Sequence, residues 1–374
     1  MPLPGPADPA PSFPPAFPDG TGPPVTVRIG DPGELAAGLP QLLGYHPHES
    51  VVLVALAGES GRRVGLTVRA DLPPPGQARA LAAVLARSLA TDRPRGALLM
   101  VVSEAPDDAS PLLPPGPGGE PGTDLPHRLL VHELVLALDA VGIPLGSAVL
   151  VRDGRWWDFD CPDPCCDPWG GTPLPTGVGQ LAVAAVAAGK VVAPTRDALA
   201  DRLAPVAGAA GVAVERAVLR VAGEGRADVS TAWGRIRAAV TRARPGPDQE
   251  VPDDEELARL VWSLWQPDVR DRAVLLCLED GAGAEALWSE CTRRAPSPLD
   301  GFPAALVAIC AYLRGDGALA NTALDRALDS DPGNPLARLI ADALSICVSP
   351  RQLRAMLHEA GATTAAELPG AAGS

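Results

Sequence analysis

The period of the hydrophobic pattern changes once along the chain, past the stretch CPDPCCDPWGGTPLP (161–175), and that change limits the folds open to it. Before it, short runs rich in Val, Leu and Ile alternate with stretches of helical spacing; from Arg196 onward every apolar repeat follows a helix. VTVRI at 25–29 reads as a strand, and DPGELAAGLPQLLG as a helix with Asp31 at its N-cap and Pro32 in its first turn. SVVLVAL (50–56) and RVGLTVRADL (63–72), joined by AGESGR, have the spacing of a β-hairpin. The helix GQARALAAVLARSLATD, the strand GALLMVVS, a Pro/Gly loop over 104–124 and the helix RLLVHELVLALDAVG follow. In SAVLVRDGRWWDFD, Asp153-Gly154 between two strand-like runs is the signal of a type I′ turn.

This order predicts an α/β domain with a mixed sheet over 25–160, a cysteine-bearing connector over 161–195, and an all-helical bundle or repeat-like domain over 196–360. A disordered Pro-rich leader (1–24) and a flexible tail (361–374) are expected to flank them. Composition agrees with closely packed helices: 47% of residues are hydrophobic but only 3% aromatic, so the core must come from Ala, Val and Leu. The 43 prolines and 39 glycines belong to loops and ends.

A net charge of -14 with no basic stripe argues against nucleic acid as a partner, because phosphate-backbone affinity rests on clustered cations. The leader lacks the basic and apolar regions of a secretory signal. LAVAAVAAGKVVAP is too short to cross a bilayer and is interrupted by Gly189 and Lys190. A soluble, cytoplasmic protein is therefore expected, with its seven cysteines reduced.

Two stretches could carry chemistry. CPDPCC places Cys161, Cys165 and Cys166 within six positions. They could hold zinc if Asp163, Asp167 or a distant His completes the shell, although neighbouring Cys165 and Cys166 point apart unless the loop turns tightly. They could instead pair Cys161 with Cys165 or Cys166 as a disulfide, or serve as small apolar side chains under Trp156, Trp157 or Trp169 in a proline-stiffened knuckle. The second stretch is LLGYHPHESVVLV. A hairpin centred near residue 60 sets Glu49 and Ser50 opposite Arg69 to Asp71, which predicts a polar pocket of Tyr45, His46, His48, Glu49, Ser50, Arg69 and Asp71. Such a group could do acid/base work, bind a metal or grip an anion, or only cap strand ends with ion pairs. His127 and His132 read as solvated or core-edge residues. GAGAEALW lacks the βαβ context of a dinucleotide loop, and Walker, GxSxG and HExxH patterns do not occur.

Near the C-terminus, GALANTALDRALDSDP resembles the second helix of a tetratricopeptide pair through Ala320, Leu324, Ala327 and Pro332, while the preceding helix departs from that pattern. On a larger scale, LLGYHPHESVVLVAL, RVGLTVRADLP, CPDPCCDPWGGTPLP and AYLRGDGALANTALDRALDSDPGNPLARL, in that order, resemble the actinobacterial family catalogued as domain of unknown function 4192. The resemblance implies a cytoplasmic actinobacterial protein and carries over no catalytic residue, substrate or partner. The expected function is a non-catalytic regulatory or protein-interaction role, with the helical domain meeting a protein partner. The alternatives are a metal-dependent or hydrolytic enzyme at the His46 to Ser50 edge with Arg69 and Asp71, and a zinc or thiol switch at Cys161, Cys165 and Cys166.

Overall fold

The computed structural model describes residues 12, 13, 27, 28, 31–58, 61, 63–74, 76–105, 125–167, 170–177, 179–187, 192–346 and 348–366. Most of the leader and of the 104–124 loop, together with Trp169, lies outside the described residues. The chain divides into two compact units, the first ending in sequence at Thr195 and the second beginning at Arg196.

In the first unit, two short strands, β1 (Ser12–Phe13) and β2 (Val27–Arg28), pair with each other. The helix expected from Asp31 is capped as read: its carboxylate accepts from Glu34 N, and Pro32 opens α1 (Pro32–Ala37). Gly38 interrupts it, and α2 (Leu39–Leu43) ends on Gly44 in the left-handed conformation. A six-stranded sheet follows, built from β3 (Ser50–Ala57), β4 (Arg63–Asp71), β5 (Gly96–Val102), β6 (Leu145–Arg152), β7 (Arg155–Asp158) and β8 (Thr172–Pro173), in the order β4-β3-β5-β6-β7-β8. Only β5 and β6 run parallel, so the sheet is mixed. The crossover between them carries α4 (Arg128–Ala140), which packs beside α3 (Ala78–Ala90).

Side chains alternate across each strand, and that alternation divides the unit into layers. Val51, Leu53, Ala55, Leu99, Val101 and Leu150 share one core with α3 and α4. Val52, Val54, Met100 and Val149 point to the opposite face and are also buried. Gly33 of α1 lies over Trp156 on that face, where a Cβ would come within 2.3 Å of the indole. α5 (Gln180–Ala187) closes against Gly38 through Leu181. The central strands are therefore apolar on both faces, which explains their unbroken hydrophobic runs.

Arg152 pairs with Arg155, and Asp153 and Gly154 both have positive φ, the two-residue turn expected from the sequence. β8 returns to the sheet beside β7, and the segment 161–195, expected as a connector, adds β8 and α5 to the first unit. No helix among the described residues is long and apolar enough to cross a membrane.

The second unit is helical throughout: α6 (Arg196–Asp201), α7 (Ala209–Glu224), α8 (Val229–Arg242), α9 (Asp254–Ser263), α10 (Pro267–Glu279), α11 (Gly281–Arg294), α12 (Gly301–Leu313), α13 (Gly317–Ser330), α14 (Pro335–Ser345) and α15 (Pro350–Ala366). Short polar residues set the starts. Asp228, Asp253, Asp280, Asp316 and Asn334 each accept a hydrogen bond from the backbone amide three residues on. Every residue of α12 is buried, so this helix, apolar on all sides, is the hub on which α10, α11, α13, α14 and α15 pack. Ala320, Leu324 and Ala327 of α13 are buried, and their small size permits close approach.

Leu99 lies in the centre of the sheet with no exposed surface. Leu99→Ala is expected to cost about 2–5 kcal/mol through lost burial and the cavity left behind. Urea unfolding, followed by the near-ultraviolet signal of the tryptophans in the first unit, checks this.

Candidate functional site

The predicted polar corner has the expected register, and its residues divide between two sets of partners. Ser50 pairs with Asp71 and Val52 with Arg69. Glu49 lies just before β3 at positive φ, and its carboxylate is held by the end of β5 while Ser50 is bonded to Arg69. On the Ser50 side, the Arg69 guanidinium donates to Ser50 Oγ at 2.6 and 2.9 Å, pairs with Asp71 at 2.6 Å, and lies 6.0 Å from the Tyr45 ring centre. Ser50 Oγ in turn donates to the His48 carbonyl. This is strand-end ion pairing, and His46 and His48 are exposed beside it.

On the other side, Glu49 meets residues the sequence did not connect to it. Ser103 Oγ donates to Glu49 Oε2 at 2.7 Å, and the amides of Glu104 and Ala105 donate to Oε1 at 2.7 and 3.1 Å. His127 Nε2 lies 3.0 Å from Ser103 Oγ. The second pairing of β3 makes the connection: Ser50 is also opposite Val102, which sets Glu49 beside Ser103. Glu49 and His127 both adopt positive φ, at 40° and 64°. His127 heads α4 and is drawn into this chain of hydrogen bonds, whereas His132 is exposed as expected. Burial by itself would push the Glu49 carboxyl up, but the bonds from Ser103, Glu104 and Ala105 and the nearby His48 outweigh it and hold it below its ordinary value. Glu49 spends both oxygens on binding the end of β5, and the two amides it holds are not free to stabilise a reacting oxyanion.

The cysteine stretch does converge. The hairpin delivers Trp157 to the core, and its Nε1 donates to the Asp167 carbonyl at 3.0 Å. Arg155 donates to the carbonyls of Gly170 and Gly171 at 3.0 and 2.8 Å. Gly171, at φ 79°, passes so close to the Trp157 ring that a Cβ would lie 2.5 Å from it. Between these anchors, Pro164–Cys166 form a single 3-10 turn, closed by Cys166 N to Asp163 O and Gly171 N to Cys165 O. This is the tight turn that adjacent cysteines require if they are to face the same way.

As a result the sulfurs of Cys161, Cys165 and Cys166 all lie within 4.8 Å of one another. Cys161 to Cys165 and Cys165 to Cys166 are both 3.9 Å apart, far beyond a disulfide bond of about 2.05 Å. Ligands held about 2.3 Å from zinc at tetrahedral corners are about 3.8 Å apart, so two of the three spacings match tetrahedral edges and the third lies within 4.8 Å. Among the described residues, no histidine or carboxylate joins this group, Asp163 and Asp167 included. Cys166 is half-buried against the core that contains Trp157 and accepts from Asp158 N at 3.3 Å. Burial pushes its thiol up to about 12; the Asp158 amide opposes this and the Cys161 and Cys165 sulfurs add to it. A metal ion would therefore have to displace a firmly held proton.

The family described as Domain of unknown function (DUF4192) matches the chain over residues 32–351. The chain belongs to this family. The family match spans the sheet, the cysteine turn and nearly all of the helical unit. No curated protein and no solved structure matches the chain.

The Glu49 network predicts a pH dependence. A carboxyl held below its ordinary value of 4.5 stabilises the fold fully above that value, and the contribution is lost as pH falls through the lower folded value. Glu49→Gln should cost about 1–3 kcal/mol at pH 7, from weakened bonds to Ser103 and the two amides. The gap to the parent protein should narrow at pH 4 and below. Urea unfolding of both proteins across pH 3–7 measures it.

Proposed function

We propose that the protein is a non-catalytic regulatory protein organised by zinc, which Cys161, Cys165 and Cys166 hold through their thiolates. The observation that carries this reading is the convergence of the three sulfurs within 4.8 Å, two of their spacings at 3.9 Å, on a turn tied to the sheet. The metal would cross-link the turn and, with three protein donors, leave a fourth corner to water or to a donor from a partner. The helical unit is the surface offered to a protein partner, supported by the exposure of Leu219, Leu339, Ile346 and Met356. The enzyme alternative has less support, because Ser50, Arg69 and Asp71 are engaged with one another and Glu49 with the end of β5.

Elemental analysis of protein purified without chelator tests the proposal. About one zinc per chain is expected, falling to near zero in Cys165→Ser and in Cys166→Ser while circular dichroism shows the helices intact. Metal-free parent protein that also fails to take up added zinc overturns the reading.

A further inference from the structure

The three sulfurs are not equivalent. Cys166 is packed against the core and its sulfur receives the Asp158 amide, so it is fixed in place. Cys165 is exposed, and Cys161, only partly covered, lies 3.9 Å away across the open side of the turn. Closing that pair to a bond of about 2.05 Å needs a movement of about 2 Å, within the reach of a side-chain rotation. Closing Cys165 to Cys166 instead would make a small ring around one peptide bond and strain it, and would pull Cys166 from its amide donor.

We propose that Cys161 and Cys165 are a site of reversible oxidation by peroxide, and that their disulfide releases the metal; this rests on the zinc reading above. The Cys165 thiolate attacks one oxygen of hydrogen peroxide, forming an S–O bond and breaking O–O, and the departing hydroxide takes a proton to become water. The Cys161 sulfur then attacks the sulfenic sulfur, forming S–S and breaking S–O, and the second oxygen leaves as water with another proton. Two electrons pass from the sulfur pair to the peroxide. Zinc is not oxidised or reduced; it loses two of its three protein donors and enters solution. The anchors of the turn, Trp157 to Asp167 and Arg155 to Gly170 and Gly171, involve no sulfur, so the change stays local and a thiol reductant can reverse it.

The test uses the full-length zinc-loaded protein. Zinc is measured first; hydrogen peroxide is then added, release is followed with a chromogenic chelator, and thiols and disulfides are mapped by alkylation and peptide mass spectrometry. The expected result is loss of the whole zinc equivalent, a Cys161–Cys165 bridge, Cys166 still alkylatable, and recovery of zinc binding after dithiothreitol and added zinc. Zinc retained with all three thiols alkylatable overturns the switch and leaves the metal site standing, as would release without a Cys161–Cys165 bridge. Absence of zinc before peroxide overturns the metal reading and the release step together, and the bridge map then decides the thiol pair alone. Cys161→Ser gives a second readout: its Cys165 should accumulate as sulfenic acid, trapped by dimedone, with no intramolecular bridge.

Discussion

The indole of Trp157 ties the cysteine turn to the rest of the first unit. Its ring is buried in the core shared by the sheet, α3 and α4, and its Nε1 reaches out to the Asp167 carbonyl. Gly171 passes over the ring where no side chain would fit, and β8 then pairs back onto β7. Trp156, one residue earlier, faces the other way and meets Gly33 of α1. Two adjacent tryptophans on a four-residue strand thus anchor both helical layers and fix the base of a loop rich in proline. Without that base the three thiols would have no reason to meet.

Much of this architecture was legible in the sequence because it is local. The change of hydrophobic period, the Asp153-Gly154 turn, the Asp31 cap and the pairing of Ser50 with Asp71 all follow from spacing over a few residues. What was not legible depends on contacts between distant segments. β8 is two residues long and carries no strand pattern of its own; it exists because Trp157 and Arg155 hold the loop that leads to it. The binding of Ser103 and His127 to Glu49 needed the second neighbour of β3 to be known as well as the first.

The polar corner shows how a correct register can still mislead about chemistry. Glu49, Ser50, Arg69 and Asp71 are close at the end of the ladder, yet Glu49, just ahead of β3, is bonded to the end of β5 while Ser50 is bonded to Arg69. Each group then satisfies its own neighbourhood with hydrogen bonds and an ion pair. The cysteines show the reverse: adjacent residues that ought to diverge are turned to one side by a single 3-10 turn between fixed ends. Of the two stretches, the one with the less promising spacing has the more reactive geometry.

The central claim is that these three sulfurs are ligands to one metal ion, and zinc-edge X-ray absorption on the loaded protein tests it most directly. The account predicts a shell of three sulfurs at about 2.3 Å with one lighter donor at about 2.0 Å. A shell of nitrogen and oxygen alone, or one with fewer than three sulfurs, would contradict it.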